Sequence, residues 1–381
     1  MNRPKIHLLY EHGADKQPFD SAHIRLLRPL SHPSLQHKLA VTSGLTYDGR
    51  SVDAVIVDRL WRPDISPALA NELVARVRAG GARLIYAIDD DLLALRTEKK
   101  DWTPTEAQFE AVQVFLSEAD GVWVTTPALK ERFAAFNPDI GVVPSALDER
   151  LLPVWRSPAR QWYPGFKDTV ARHLRWLPRA MVNALRYTLA GRKVIGYMGT
   201  FTHDSDLSMV LPALRAVWQR HQGKIAFQLV GVIGRTETYQ ALQELPVRII
   251  NPAPTIAAYP HFLPWFSTYL HWDIAIAPLQ DTPFNRCKSD IKFLDYSALG
   301  TVGIYSRVPA YETTVRHRQT GWLAENTVEA WIEALEELIS NEPLRRAIAR
   351  QATQYLHAER ILNRTAHKWV EAIETLLEVN P

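Results

Sequence analysis

The richest run of residues suited to holding an anion is Phe284-Asn285-Arg286-Cys287-Lys288-Ser289-Asp290-Ile291-Lys292-Phe293-Leu294-Asp295, just beyond an apolar stretch ending at Ala277-Pro278-Leu279. Ser289 or Asp290 is a good N-cap. The free amides of the next turn would then face the strand ends, where a pyrophosphate gains from them and from the helix dipole. Lys288 and Lys292 add fixed positive charge. Spacings of four and three put Lys288, Lys292 and Asp295 along one side of a helix, if its first turn is already formed at Lys288. Charge on a helix face also arises from plain solvation; the position after a buried strand favours a ligand.

A second group is Gly196-Tyr-Met-Gly199-Thr200-Phe-Thr-His203-Asp204-Ser-Asp206, which reads from a strand into a helix. Gly199 lets backbone approach a ligand, and Thr200, His203 and the helix start would face an anion. The plain alternative is a structural turn capped by Asp204 and Asp206. In the N-terminal half, Asp89-Asp90-Asp91 follows Ile88 at the end of another strand. Adjacent carboxylates repel, so one can retain a proton and serve as acid or base, or one can bind a substrate hydroxyl. Otherwise the run is a solvated loop in which Asp91 caps a helix. Glu11, His12 and Gly13 follow the first strand, and Asp20, Ser21, His23 and Arg25 open the next helix. His12 is a candidate base; its alternative is a hydrogen-bonded structural histidine.

These groups need parallel strands to position them. Apolar runs at 6–10, 39–42, 54–57, 84–88, 122–125 and 140–143 alternate with helical patterns at 67–79, 105–119 and 127–136. The rhythm restarts with strands at 194–198, 225–230, 247–250, 274–277 and 302–305, and with helices at 206–220, 290–299, 327–339 and 343–377. Such alternation implies right-handed crossovers and a doubly wound α/β sheet, whose ligands sit beyond the carboxyl ends of the strands. A chain of 381 residues fits two such domains. The expected division is residues 1–150, a linker at 151–193, a second domain at 194–360 and a C-terminal helix at 361–381 that packs back on the first domain.

The linker is rich in proline and carries nine Lys or Arg against one Asp between Arg156 and Lys193, in a chain of net charge +3. If helical, it sets Arg172, Arg175 and Arg179 opposite an apolar face, with Trp176 nearby, an arrangement suited to an anionic membrane surface. The alternative is an amphipathic helix packed on the protein itself. No RNA- or DNA-binding module accompanies the patch, so no nucleic-acid partner is expected. Cys287 is the only cysteine, so no intrachain disulfide is possible. With no signal-like or membrane-spanning apolar stretch, the expected location is the cytoplasm, soluble or peripheral on the inner face of the membrane.

The order of motifs resembles glycosyltransferase family four, the group 1 glycosyltransferases of GT-B type. Carrying the resemblance are Ala119 to Phe133, Val142 to Asp148, Val194 to Leu214, Asp273 to Leu279, Lys288 to Gly300 and Val302 to Thr313. It implies a GT-B fold of two Rossmann-like domains facing across a cleft. The reaction implied moves a sugar from a nucleotide-sugar donor to a hydroxyl of a glycan or lipid-linked acceptor, retaining, without metal or other cofactor, in cell-surface polysaccharide or glycoconjugate synthesis. Donor binding would fall to Gly199, Thr200, His203, Asp204, Gly231, Asn285, Lys288, Ser289, Asp290, Lys292 and Asp295. The acceptor side would hold Glu11, His12, Gly13, His23 and Arg25, and the catalytic candidates are Asp89, Asp90, His12 and Lys292. Asp89 stands where many relatives have a histidine. The family's paired-glutamate motif falls on Cys287 and Asp295, so only the second position keeps a carboxylate. The family's Arg and Lys after the glycine turn are absent near Thr200 and Asp204, leaving Lys288, Lys292 and His203 to supply that charge. A nucleotide-sugar epimerase on the same fold and a degenerate glycan-binding GT-B module are the alternatives.

Overall fold

The computed structural model describes residues 3–98, 102–152, 191–231 and 233–378. The basic segment with Arg172, Arg175, Trp176 and Arg179, expected to meet a membrane, lies outside them. The chain divides into two compact units. The first comprises Met1–Asp148, Asp281–Ile291 and Ala358–Pro381, the second Glu149–Gln280 and Lys292–His357. Residues 281–291, expected in the second domain, thus belong to the first unit. The reason is packing: Phe284 and Cys287 are buried in the same apolar cluster as Leu92, Val124, Leu129 and Phe133.

In the first unit, strands β1 (Lys5–Leu9), β2 (Ala40–Gly44), β3 (Ala54–Asp58), β4 (Arg83–Ile88), β5 (Gly121–Val124) and β6 (Ile140–Val142) form one parallel sheet in the order β2-β1-β3-β4-β5-β6. β3 reads AVIVD and is buried along its whole length, as a strand covered on both faces must be. The covering helices have local start signals. Ser66 caps Pro67–Ala79, and Thr105 with Gln108 forms a capping box on Glu106–Glu118. On the other face, Trp369 and Ile373 of the C-terminal helix His367–Glu378 pack with Ile6, Ile56 and Trp123. The Trp369 indole donates to the Arg25 carbonyl at 2.8 Å. Strand order reverses between β1 and β3, which opens a crevice at their carboxyl ends.

The second unit holds β7 (Lys193–Met198), β8 (Ile225–Val230), β9 (Val247–Ile250), β10 (Ile274–Ala277), β11 (Val302–Ser306) and β12 (Trp322–Ala324), parallel in the order β12-β11-β10-β7-β8-β9. Its reversal lies between β7 and β10. Three elements had no clear sequence signal. β12 has only three residues, and Thr236–Gln243 is a short helix with two buried residues. The helix Tyr259–Tyr269 contains Pro264, which costs about 3 kcal/mol in a helix interior. Full burial of Leu263 and Phe266, each contributing ~1.5–3 kcal/mol, offsets it. No helix of the described residues is long and apolar enough to cross a membrane.

Candidate functional site

At the crevice of the first unit, three strand ends bring charged side chains together. Glu11 follows β1, Asp58 ends β3 with Arg59 next, and Asp89 and Asp90 follow β4. Arg59 Nε lies 3.0 Å from Glu11, and its Nη1 lies 3.2 Å from Asp89 and 3.4 Å from Asp90. Arg25 pairs with Asp58 and, at 3.2 Å, with Asp89. Arg59 and Trp61 take φ of +45° and +57°, a conformation costly for residues with side chains. Glu11, Arg25, Asp58 and Asp89 are buried, and the guanidiniums beside these carboxylates offset part of the cost of burying their charge.

Burial pushes the Glu11 carboxyl up to about 7; Arg59 opposes this, and Asp58 and Asp89 add to it. Burial likewise raises Asp58, against Arg25. At Asp90 burial is outweighed by Lys288 and Arg59, and its pKa is lowered. Asp91 is structural: it caps the turn at Leu92–Arg96 and accepts from Arg132 Nε at 2.6 Å. His12 is tied locally, with Nδ1 2.8 Å from the Gly13 carbonyl and its amide donating to Trp61 O at 3.1 Å. His23 begins the π-helical turn His23–Leu27, two residues before Arg25.

Residues 281–291 join this unit through named contacts. Lys288 Nζ lies 3.2 Å from Asp90 Oδ1 and 4.5 Å from the Phe284 ring centroid. The Thr126 hydroxyl donates to the Cys287 carbonyl at 3.0 Å, and the Phe284 amide donates to Glu98 at 2.8 Å. Three expectations change as a result. The helix begins only at Ile291, so Lys288 precedes it and does not share a stripe with Lys292 and Asp295. The Asp290 carboxylate does not serve the helix amides, because both its oxygens accept from Arg360 at 2.7 and 2.9 Å. Cys287 is buried, its thiol pushed up to about 11 by burial and then by Asp91, so this position faces the core. Asn285 is buried as well, and Ser289 is half-buried.

In the second unit the crevice is lined differently. Gly199 and Gly231 are the first residues past β7 and β8. The Gly199 amide donates to Val230 O at 3.0 Å, and a β-carbon on Gly231, whose φ is +122°, would stand 1.7 Å from the Gly199 carbonyl oxygen. Only glycine allows this contact of bare backbone. Thr200 Oγ1 lies 2.9 Å from Thr202 Oγ1, exposed. His203 Nδ1 is 2.8 Å from Asp206, whose other oxygen accepts from the Gln280 amide at 2.8 Å. Burial works against an ionised Asp206, but the His203 bond, with Lys292 among the further causes, lowers its pKa. Lys292 Nζ lies 5.1 Å from the Tyr197 ring centroid.

Two carboxylates expected to meet the donor are turned inward. Asp204, 1% exposed, accepts from the Gly234 and Arg235 amides at 2.8 and 2.7 Å, which fixes the loop after β8. Asp295, also 1% exposed, accepts from the Tyr259 hydroxyl at 3.1 Å. The structure thus assembles Glu11, Arg25, Asp89, Asp90 and Lys288 in one unit, and Gly199, Gly231, His203 and Lys292 in the other. Arg59, Asp58, Tyr197 and Gln280 join them without having been singled out from sequence. Their only signal was position, at or just beyond a strand end. Among the described residues no three His, Cys, Asp or Glu side chains are grouped to hold a metal ion.

Residues 192–341 match the family model described as glycosyl transferases group 1. The chain carries a group 1 glycosyltransferase domain. Solved structures similar to this chain agree in fold. HepE from Anabaena, solved with UDP and glucose, superposes with a TM-score of 0.65 at 12% identity, covering 98% of this chain and 100% of that one. A glycosyltransferase from Rickettsia africae gives 0.63 at 12% identity over 100% of both chains. Sucrose-phosphate synthase from Thermosynechococcus elongatus gives 0.57 at 15% identity, covering 85% of this chain and 74% of that one. The fold of this chain is therefore that of the GT-B glycosyltransferases. No curated protein sequence matches the chain.

Proposed function

We propose that the chain transfers a sugar from a nucleotide-diphosphate sugar to a hydroxyl of a glycan or lipid-linked acceptor, with retention at the anomeric carbon and without a metal. The observation that carries this reading is the glycine-lined crevice of the matched domain, where bare backbone at Gly199 and Gly231 accompanies Lys292 in the first turn of a helix. HepE was solved with UDP-glucose, a donor of this class. Lys292 and the amides of its turn would stabilise charge on the departing nucleoside diphosphate, the term expected to dominate. Asp90, ionised and 17% exposed, would orient the acceptor hydroxyl, with Asp89 held beside it by Arg25 and Arg59. His12 is the base to test if the reaction inverts.

The setting proposed is synthesis of cell-surface polysaccharide or glycoconjugate, at the cytoplasmic face of a membrane. A thermal-shift screen against UDP, GDP, dTDP, ADP and CMP is expected to single out one nucleotide, its shift abolished by Lys292→Ala. Transfer from the matching sugar should survive EDTA. Binding of none of these nucleotides would overturn the reading, and an epimer formed from donor alone at the rate of transfer would favour the epimerase. Flotation with anionic vesicles tests the membrane step; binding unchanged after neutralising Arg172, Arg175 and Arg179 would remove it.

A further inference from the structure

Tyr197, the penultimate residue of β7, carries a hydroxyl that is buried and has no hydrogen-bond partner among the described residues. The residue is 4% exposed, and its ring packs in the apolar cluster with Leu207, Val210 and Leu211. A buried donor left unmatched costs folding free energy, and phenylalanine would fill the same space without that cost. Its location supplies a reason for the hydroxyl. A β-carbon on Gly199 would stand 2.4 Å from the Tyr197 oxygen, so the hydroxyl lies directly against the glycine turn. The same ring carries Lys292 Nζ 5.1 Å from its centroid. A second buried polar atom without a partner among the described residues, Asp204 Oδ1, lies on the helix that follows this turn.

We propose that Tyr197 is a donor-substrate contact, its hydroxyl donating to a diphosphate oxygen of the nucleotide-sugar while its ring holds the Lys292 ammonium beside that oxygen. The hydroxyl is shut from solvent, so the ligand reaches it when the turn after Gly199 shifts, a movement that glycine at 199 permits. The assignment rests on the nucleotide-sugar reading above, and it explains why tyrosine stands where phenylalanine would be more stable.

The test compares wild type, Tyr197→Phe and Tyr197→Leu by melting temperature without ligand, by the dissociation constant of the nucleoside diphosphate chosen in the screen, and by kcat and donor KM. Tyr197→Phe is expected to melt higher than wild type yet to bind the nucleoside diphosphate roughly tenfold to a hundredfold more weakly, the loss of one hydrogen bond to a charged group. Tyr197→Leu, which also removes the ring under Lys292, should bind more weakly still. A Tyr197→Phe protein with wild-type affinity and wild-type kcat/KM would overturn the assignment while leaving the transferase reading intact. Wild type that binds no nucleoside diphosphate overturns both.

Discussion

Both units place a crevice where strand order reverses, but they furnish it in opposite ways. The first fills its crevice with its own charges: Glu11, Asp58, Asp89 and Asp90 set against Arg25, Arg59 and Lys288. The second lines its crevice with glycine backbone and leaves the Tyr197 hydroxyl and Asp204 Oδ1 unmatched among the described residues. Charges held in mutual ion pairs present a fixed surface to a substrate, even where, as at Glu11 Oε2, Arg25 Nε and Arg59 Nε, the pair is not aligned as a hydrogen bond. A crevice with unmatched groups gains more from a ligand than from its own folding. The contrast assigns preorganisation to the first unit and binding energy to the second.

The largest expected effect would break that contrast directly. Arg59→Met removes the guanidinium shared by three carboxylates and leaves Glu11 and Asp89 under-compensated in the interior, which should destabilise the first unit by about 3–5 kcal/mol. Chemical denaturation followed through the transition of that unit measures it. Tyr197→Phe removes a polar group from the other crevice and should have the opposite sign. Were Arg59→Met neutral, the first crevice would not be held by its ion pairs, and the contrast would fail.

A smaller effect concerns pH. The Glu11 carboxyl is raised from 4.5 to about 7 in the folded chain, so folding takes up a proton between those values. The stability tied to this group is complete below 4.5 and is lost as pH rises through about 7. Wild type should therefore weaken relative to Glu11→Gln between pH 5 and pH 8, by on the order of 2 kcal/mol given the shared charges of the cluster. Parallel stability curves for the two proteins over this range would show that Glu11 stays ionised throughout. The comparison also separates Glu11 from Asp90, whose lowered pKa keeps it ionised across the whole interval.

The legible parts of this molecule were those specified locally. β3 and β8 are largely apolar runs, interrupted only by Asp58 at the end of one and Gln228 within the other, and helix starts such as Thr105 with Gln108 carry their own caps, so strands and crossovers could be placed from residue types. The helix Tyr259–Tyr269 was not legible because Pro264 in its interior opposes its backbone, and tertiary burial of Leu263 and Phe266 offsets that cost. The site divides along the same line. Asp89, Asp90 and Glu11 stood out as charges just past strand ends and Arg25 as a charge opening the next helix, whereas Arg59 looked like any arginine in a turn, since its positive φ and its three partners are tertiary facts. Asp204 and Asp295 were recognised as carboxylates near a turn and a helix. That both point inward depends on the Gly234 and Arg235 amides and on Tyr259, each about 30 or more residues away in sequence.

The smallest effect sharpens the boundary between the two regions. Lys288 and Lys292 are four residues apart, yet the first pairs with Asp90 while the second lies over Tyr197. Lys288→Met should cost about 1 kcal/mol at neutral pH, the scale of a partly exposed pair whose members are 20% and 17% exposed. The sign with pH follows from Asp90. Its folded value lies below the ordinary 3.8, so the pair's contribution is present above 3.8 and disappears as pH falls through the folded value. The gap between wild type and Lys288→Met should then close in acid, and a gap that persists there would mean that Lys288 acts through its contact with the Phe284 ring instead. Nucleotide affinity gives the second arm: it should survive Lys288→Met and be lost in Lys292→Ala. If both lysines prove necessary for binding, residues 281–291 serve the donor as the family pattern implied, and the pairing with Asp90 belongs only to the ligand-free chain.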